Sequence, residues 1–476
     1  MWPGLFNRIS QTETQVDTIT DPSNYRPVSL TSNIVKIMER FINFQLLRHL
    51  LDNHLISPSQ FGFLPKHSTT DQLCYLIHDL LNALDRKQSA TAVFLDLEAA
   101  FDTVPHAAIR QKLPAYGIRG KLFKWVCNYL TGRSQAVRIN DSSSEFVPVL
   151  SGVPQGSVIA PTLIIIFIND ICDFTEIQIA HVSSTLPSCD TLIYADDTML
   201  YSCSKDINSV IDSLNASLSS IETWSSIWNM RFSVIKTRAI FLSRSDSQPT
   251  RKLHFCGADL EFTKTHKHLG FTITSDLTYN AHVDAVCRKI GSQLFLLRQL
   301  RIKTKNRDIL CAVYKKYIRP HFEYASPAWS ALPGYLANKL ESLQRRAIRT
   351  VLGLPYRLSL DDTHYAALGL STLQSRRNLA TSCFGYKLFS GFLPRIFSRL
   401  KPFVASRHFN TRQQDRLILP FVNLSRTSRF FDRSPIMFSV KLLNSLPQAT
   451  WYYPDVTQFK SVVWQHHHHA ISAIAF

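Results

Sequence analysis

No two cysteines in this sequence form a C-x-x-C pair; the nine are scattered, so neither a zinc site nor a disulfide framework is suggested. Such usage fits a reducing compartment. The N-terminus lacks the pattern of a signal peptide. Long apolar runs are missing as well. The longest, Val158 to Ile168, is too short to span a bilayer and is closed by Asn169-Asp170, so no membrane partner is expected. No internal repeat is visible. Acidic residues are scarce toward the C-terminus: residues 276–476 hold 10 Asp+Glu against 29 Lys+Arg, a net of +19. Residues 1–275 hold 25 against 24, a net of −1.

The 476 residues are 45% apolar and 18% charged, ordinary for a folded chain and enough for about two to four compact domains. A basic second part suits a protein that grips a polyanion, because neutralised phosphates release counterions. The plainer alternative is a solvated basic surface that maintains solubility.

Pro22 and Pro27 argue against a helix in the first thirty residues. Ile34, Ile37, Met38, Phe41, Ile42 and Leu46 recur at helical spacing, as do Leu73, Leu76, Ile77, Leu80, Leu81 and Leu84, and both stripes predict core-packed helices. Thr69 with Gln72 reads as a capping box for the second. TAVFLDL reads as a buried strand ending in a carboxylate. Helices are expected at 105–115 and 120–131, and a hairpin over SQAVRIN and EFVPVL. After the SGVPQGS loop comes a buried helix. TLIYADDTMLYS reads as two strands folded about Ala195-Asp196-Asp197, followed by a helix at 207–227 and the strands RAIFLS and KLHF. This order predicts an α+β sheet with helices on one face. Beyond about residue 276 the pattern turns helical and basic, with a helix at 338–351 stopped by Gly353 and Pro355.

Adjacent carboxylates in a tight turn repel each other and resist desolvation. An isolated Asp-Asp turn is usually structural, since Asp suits turns. Asp96 changes the weighting, because it ends another apolar strand that could neighbour the turn. Carboxylates gathered at one sheet edge need divalent cations, and hard oxygen ligands select Mg²⁺ or Mn²⁺. Two such ions, ~3.5–4 Å apart, would serve phosphoryl transfer on a nucleic acid or nucleotide.

The strings NYRPVSL (24–30), QFGFLPKHSTTDQL (60–73), AVFLDLEAAFDTV (92–104), SGVPQGSVIAPTL (151–163), INDI (168–171), YADDT (194–198) and HLGFTI (268–273) follow one another in order. Together they resemble non-LTR, LINE-type retrotransposon reverse transcriptases, most of all the jockey-like branch. EYASPAWS, LESLQRRAIRTVLG and VKLLNSLP are similar to the tail of these elements. The resemblance implies a right-hand polymerase fold: fingers and palm over 1–275, a basic helical thumb-like region over 276–370 and a basic C-terminal region over 371–476.

It implies an RNA-directed DNA polymerase that takes an RNA template, a DNA primer and dNTPs. Asp96, Asp196 and Asp197 match the catalytic, metal-binding aspartates, with Mg²⁺ (or Mn²⁺) as cofactor. Asp102 reads as a structural or capping acid. Phe101 matches the aromatic wall beneath the incoming sugar, which would exclude a 2′-hydroxyl. Gln155 and Gly156 match the loop lining the nucleotide pocket, Arg26 the arginine on the triphosphate and Lys236 a lysine near the phosphates. Leu269-Gly270 matches the hairpin supporting the primer. Arg345, Arg346 and Arg349 would contact nucleic-acid phosphates. A nuclear location follows from the same resemblance.

Where that family usually has lysines before NYRP, only Arg8 stands here, and FSVIK replaces a more usual asparagine with Ser233. The stretch from Cys172 to Leu192 looks long, and no endonuclease domain is expected. The rival expectation is therefore an inactive relic that only binds nucleic acid. A two-metal nuclease fits less well beside Phe101 and SGVPQGS. His466 to His469 read as a tail feature, not a metal site.

Overall fold

The structure is a computed structural model, and it describes residues 5–8, 25–29, 31–139, 142–175, 186–244, 248–405, 416–420 and 433–473. Its centre is a four-stranded antiparallel sheet of β3 (Ser89–Leu95), β8 (Cys189–Tyr194), β9 (Asp197–Ser204) and β10 (Arg238–Leu242), in the order β10-β3-β9-β8. β1 (Leu5–Arg8) pairs with β2 (Tyr25–Val28). The expected hairpin forms as two short ladders, β4 (Ser134–Gln135) with β7 (Val147–Pro148) and β5 (Arg138–Ile139) with β6 (Ser142–Ser143); Asn140 and Asp141 of its turn lie outside the described residues.

Around the sheet lie α1 (Asn33–Asp52), α2 (Thr69–Asp85), α3 (Ala100–Thr103), α4 (His106–Lys112), α5 (Gly120–Leu130), α6 (Ala160–Ile168) and α7 (Ile207–Trp228). Two small hairpins follow, β11 (Leu253–Phe255) with β12 (Ala258–Leu260) and β13 (Thr265–His268) with β14 (Phe271–Thr274). The remainder is mainly helical: α8 (Asn280–Lys303), α9 (Arg307–Val313), α10 (Gly334–Leu352), α11 (Leu373–Ser390), α12 (Pro435–Asn444) and α13 (Val456–Ala473). β15 (Phe403–Ala405) pairs with β16 (Arg416–Ile418). No helix among the described residues is long and apolar enough to cross a membrane. His466 to His469 fall late on α13, outside the residues whose side chains are described.

All seven residues of β3 are buried, because both faces of the sheet are covered. Strand alternation sends Val93, Leu95 and Leu200 into one core with α4, α6 and α7, and Ala92, Phe94, Met199 and Tyr201 into the other with α2. This corrects the expectation of helices on one face. The second core continues without a break through Trp329, Leu340, Phe384, Met437 and Phe459, because the C-terminal helices pack onto α2, which itself covers the second face. The continuity also shows in single contacts. Arg399 reaches back to Asp79 of α2 at 3.0 Å, while Asp79 accepts from Tyr201 of β9 at 2.8 Å.

Two further expectations change. The α1 stripe is not core along its length: Leu46 is buried, but Ile34, Ile37, Met38 and Phe41 are exposed among the described residues. Helical spacing reports a face, not what covers it. At α2 the cap is Ser68 instead of Thr69: its hydroxyl accepts from the Asp71 amide at 3.2 Å and donates to the Asp71 carboxylate at 2.7 Å.

Candidate active site

Register builds the site. Leu95 of β3 pairs with Thr198 of β9. Asp96 therefore lies one residue beyond Leu95, and Asp197 one residue before Thr198, so both carboxylates close adjacent strands at the same edge. Tyr194 pairs with Asp197, leaving Ala195-Asp196 as a two-residue turn. Such hairpins need a positive φ at the turn, and Ala195 takes +57°. Asp196 is half-buried and Asp197 exposed.

The Ala195 conformation is held from outside the hairpin. Residues 59–62 run alongside β8: the Phe61 amide donates to the Ile193 carbonyl at 2.8 Å, and the Ile193 amide to the Ser59 carbonyl at 2.9 Å. Gln60 is fully buried, and its Oε1 accepts from the Gly62 amide at 2.7 Å and the Ala195 amide at 3.1 Å. Gly62 is required by contact alone, because a Cβ there would sit 2.3 Å from the Ala195 nitrogen.

Asp96 is fixed through its backbone. Its carbonyl accepts from the Ser233 amide at 2.8 Å, and Leu97 bridges Phe232. The 233–237 turn then delivers Lys236, whose Nζ lies 3.6 Å from Asp96 Oδ2, both side chains remaining partly solvent-accessible. In the described residues no three His, Cys, Asp or Glu side chains form a group placed to hold a metal ion. The donor chemistry of Asp96, Asp196 and Asp197 nevertheless fits a hard divalent cation: carboxylates at one accessible edge, with no soft ligand among them.

The SGVPQGS loop is zipped onto the α3 segment. The Gly152 amide donates to the Val104 carbonyl and the Val153 amide to the Phe101 carbonyl, each at 2.7 Å. Gly152 has φ +81°, and a Cβ there would lie 2.6 Å from the Asp102 carbonyl oxygen. Gln155 Nε2 donates to both carboxylate oxygens of Asp102 at 2.8 and 2.9 Å, and its carbonyl accepts from the Ser29 amide at 2.7 Å. Asp102 thus orients the Gln155 amide. Gly156 takes φ +101°. Buried Glu39 of α1 props the loop from beneath, accepting from Ser157 Oγ at 2.9 Å and the Val158 amide at 2.6 Å.

Phe101 is half-buried, its ring edge-on to Phe63 with centroids 6.2 Å apart. Arg26 lies on β2 opposite Asn7. Leu269 (φ +45°) and Gly270 (φ +77°) form the two-residue turn of the β13–β14 hairpin. Tyr324 clamps that turn by donating to the Leu269 carbonyl at 2.6 Å, and its hydroxyl also meets Thr69 Oγ1 at 3.0 Å.

The three α10 arginines separate. Arg346 and Arg349 line a cavity between α8 and α10, and Arg345 does not. Sequence reasoning quoted the strings holding Gln60, Gly62 and Tyr324 without giving these residues roles. Their partners are distant in sequence, and only assembly reveals them.

The reverse transcriptase (RNA-dependent DNA polymerase) family matches residues 15–273. The RNA-directed DNA polymerase from mobile element jockey of Drosophila melanogaster is 30% identical over 348 residues, covering 72% of this chain and 37% of that protein. The probable RNA-directed DNA polymerase from transposon BS of the same fly is 30% identical over 376 residues, covering 77% and 40%. That from transposon X-element is 25% identical over 413 residues, covering 84% and 43%. The chain thus spans about two fifths of the length of the curated relatives it matches. Telomerase from Candida Tropicalis, solved with a TWJ fragment of telomeric RNA, has a TM-score of 0.38 at 11% identity, covering 79% of this chain and 60% of that one.

Proposed function

The chain belongs to the reverse transcriptase (RNA-dependent DNA polymerase) family, and from that membership we propose that it is an RNA-directed DNA polymerase of the non-LTR retrotransposon kind. Residues 1–275 act as fingers and palm and 276–370 as a thumb-like region, with 371–476 a basic C-terminal region. These are divisions of function, since one continuous core crosses their borders. RNA template, DNA primer and dNTPs are the substrates.

The observation that carries the reading is that Asp96, Asp196 of the hairpin turn and Asp197 at the start of β9 share one strand end, with Lys236 3.6 Å from Asp96. Those three aspartates would hold Mg²⁺ (or Mn²⁺). When bound, the cations activate the primer 3′-hydroxyl and stabilise charge on the α-phosphate and the leaving pyrophosphate. Lys236 steadies the leaving phosphate charge or gives it a proton. Phe101 lies beneath the sugar, where its ring meets a 2′-hydroxyl. Gln155, oriented by Asp102, and Gly156 line the nucleotide pocket; the glycine lets backbone approach the substrate. Arg26 offers a forked donor set to the triphosphate. The Leu269-Gly270 turn supports the primer end, while Arg345, Arg346 and Arg349 meet phosphates without reading bases.

Primer extension on an RNA template with Mg²⁺ and dNTPs tests this. Extension lost in Asp96→Ala and in Asp196→Ala, with the fold retained, is the expected result. Extension retained by either variant contradicts the assignment. No extension by the unmodified chain, with salt-sensitive nucleic-acid binding intact, would favour a protein that only binds.

A further inference from the structure

Between α8 and α10 lies a cavity of about 500 Å³, within the ~300–1,000 Å³ range of small-molecule sites. Arg298, Arg301, Arg346 and Arg349 line it together with Ile302, Thr350, Gly353, Leu354 and Tyr356, and no acidic residue does. Two of the four arginines are built into the fold. Arg301 Nη1 donates to the Val351 carbonyl at 3.0 Å, and Arg349 donates to the Leu358 carbonyl at 3.0 and 2.7 Å. Both satisfy carbonyls at or beyond the end of α10, where helix groups lack partners. Gly353 caps that helix at φ +76°, and its missing side chain makes room for the Arg301 guanidinium.

Arg298 and Arg346 are different. Both are exposed, and neither guanidinium makes a hydrogen bond or ion pair among the described residues. Two unneutralised guanidiniums facing a cavity without carboxylates form a forked donor set for an anion, with phosphate the best geometric match. The aromatic wall supplies a second specification. Tyr356 is 73% exposed, with the Arg349 guanidinium 5.8 Å from its ring centroid. A ring so exposed offers a face for stacking, and a base stacks there only when its own faces are free. A base inside a duplex has both faces occupied.

We propose that this cavity binds one unpaired nucleotide of a single-stranded polynucleotide, its phosphate on Arg298 and Arg346 and its base on Tyr356. The site deepens the phosphate-contact role proposed for Arg346 and Arg349, but its binding test is independent of catalysis, because nothing in it depends on Asp96, Asp196 or Asp197. It also goes beyond phosphate contact by a basic helix, since it selects unpaired over paired strands.

The test uses the full chain and fluorescent RNA and DNA 10-mers, single-stranded or as duplexes, with a 2-aminopurine reporter in the strand. Tyr356→Ala should weaken single-strand binding roughly 5- to 150-fold and abolish the stacking quench of 2-aminopurine. Arg298→Gln with Arg346→Gln should lower the slope of log affinity against log salt by about 0.7, since both guanidiniums hold one phosphate. Duplex binding should be unmoved by Tyr356→Ala. Circular dichroism confirms that each variant folds. Single-strand binding unchanged in both variants would overturn the site. An equal loss for duplexes would overturn the selection for unpaired bases. Tight binding of free nucleoside monophosphate without the polymer would replace it with a small-molecule site. Comparing RNA and DNA 10-mers identifies which strand supplies the nucleotide.

Discussion

Replacing Gln60 with leucine separates a clamp on the catalytic turn from ordinary core packing. Leucine fills a similar space but offers no acceptor, so the Gly62 and Ala195 amides lose the Oε1 that serves both. Each orphaned buried amide costs ~1–3 kcal/mol. Gln60 Nε2 is itself buried without a hydrogen-bond partner among the described residues, and removing it relieves one penalty of the same kind. The net cost is then about 1–3 kcal/mol. A domain stable by ~5–15 kcal/mol survives that.

The loss falls on Ala195, whose φ of +57° carries strain that the bond from Gln60 helps offset. If it is expressed wholly in the placement of Asp196 and Asp197, turnover falls by about 5- to 150-fold, at 1.36 kcal/mol per decade. Primer extension reads turnover, and amide exchange at Ala195 reads the turn without needing activity. Gln60→Glu keeps an oxygen acceptor and should restore much of the protection. Extension within twofold of the unmodified chain, with unchanged Ala195 exchange in Gln60→Leu, would refute the clamp.

Gly62→Ala should be more damaging than most surface-loop changes, because its Cβ meets backbone at 2.3 Å and overpacking costs ~1–3 kcal/mol; thermal unfolding measures it. Acid should destabilise the fold early. Burial lowers His78 and His268 to about 3 and His282 to about 4, and His282 Nδ1 accepts from the Thr272 amide, which requires the neutral ring. These folded values lie below the ordinary 6.5, so stability is full above pH 6.5 and falls as pH drops toward 4, by up to ~1.4 kcal/mol per histidine per unit. Denaturant midpoints that stay flat from pH 7 to 5 would contradict this.

Lys112 is buried against the Phe167, Trp224 and Trp228 rings and Asp170, and burial lowers it to about 8. Lys112→Met removes a charge that burial disfavours, so it should remove a rise in stability between about pH 8 and 10.5, and at pH 7 that relief should offset much of the lost bond to Asp170, which keeps the Trp224 indole at 2.8 Å. Chemical denaturation across that range checks both. Tyr324→Phe removes the bond to the Leu269 carbonyl, worth ~0.5–1.5 kcal/mol, and should loosen the hairpin turn; amide exchange at Gly270 reports it.

The sequence by itself determined the elements and the strand ends on which chemistry sits. Apolar period, turn residues and a strand-terminal carboxylate are written within a few positions, so Asp96 at the end of β3 and the Asp196-Asp197 turn were legible. So were the α7 and α10 helices and the Gly353 stop, because capping is local. Only the tertiary structure decided what those pieces meet. Gln60 and Ala195 are 135 residues apart, and Gln155 and Asp102 are 53 apart. The helix α2 on the sheet's second face is in turn packed by C-terminal segments, with His78 meeting Ser434 across 356 residues, and of the α10 arginines only Arg346 and Arg349 line the cavity. Periodicity fixes which side a residue faces, whereas burial and partnership depend on the packing of distant segments, and that is a property of the whole chain.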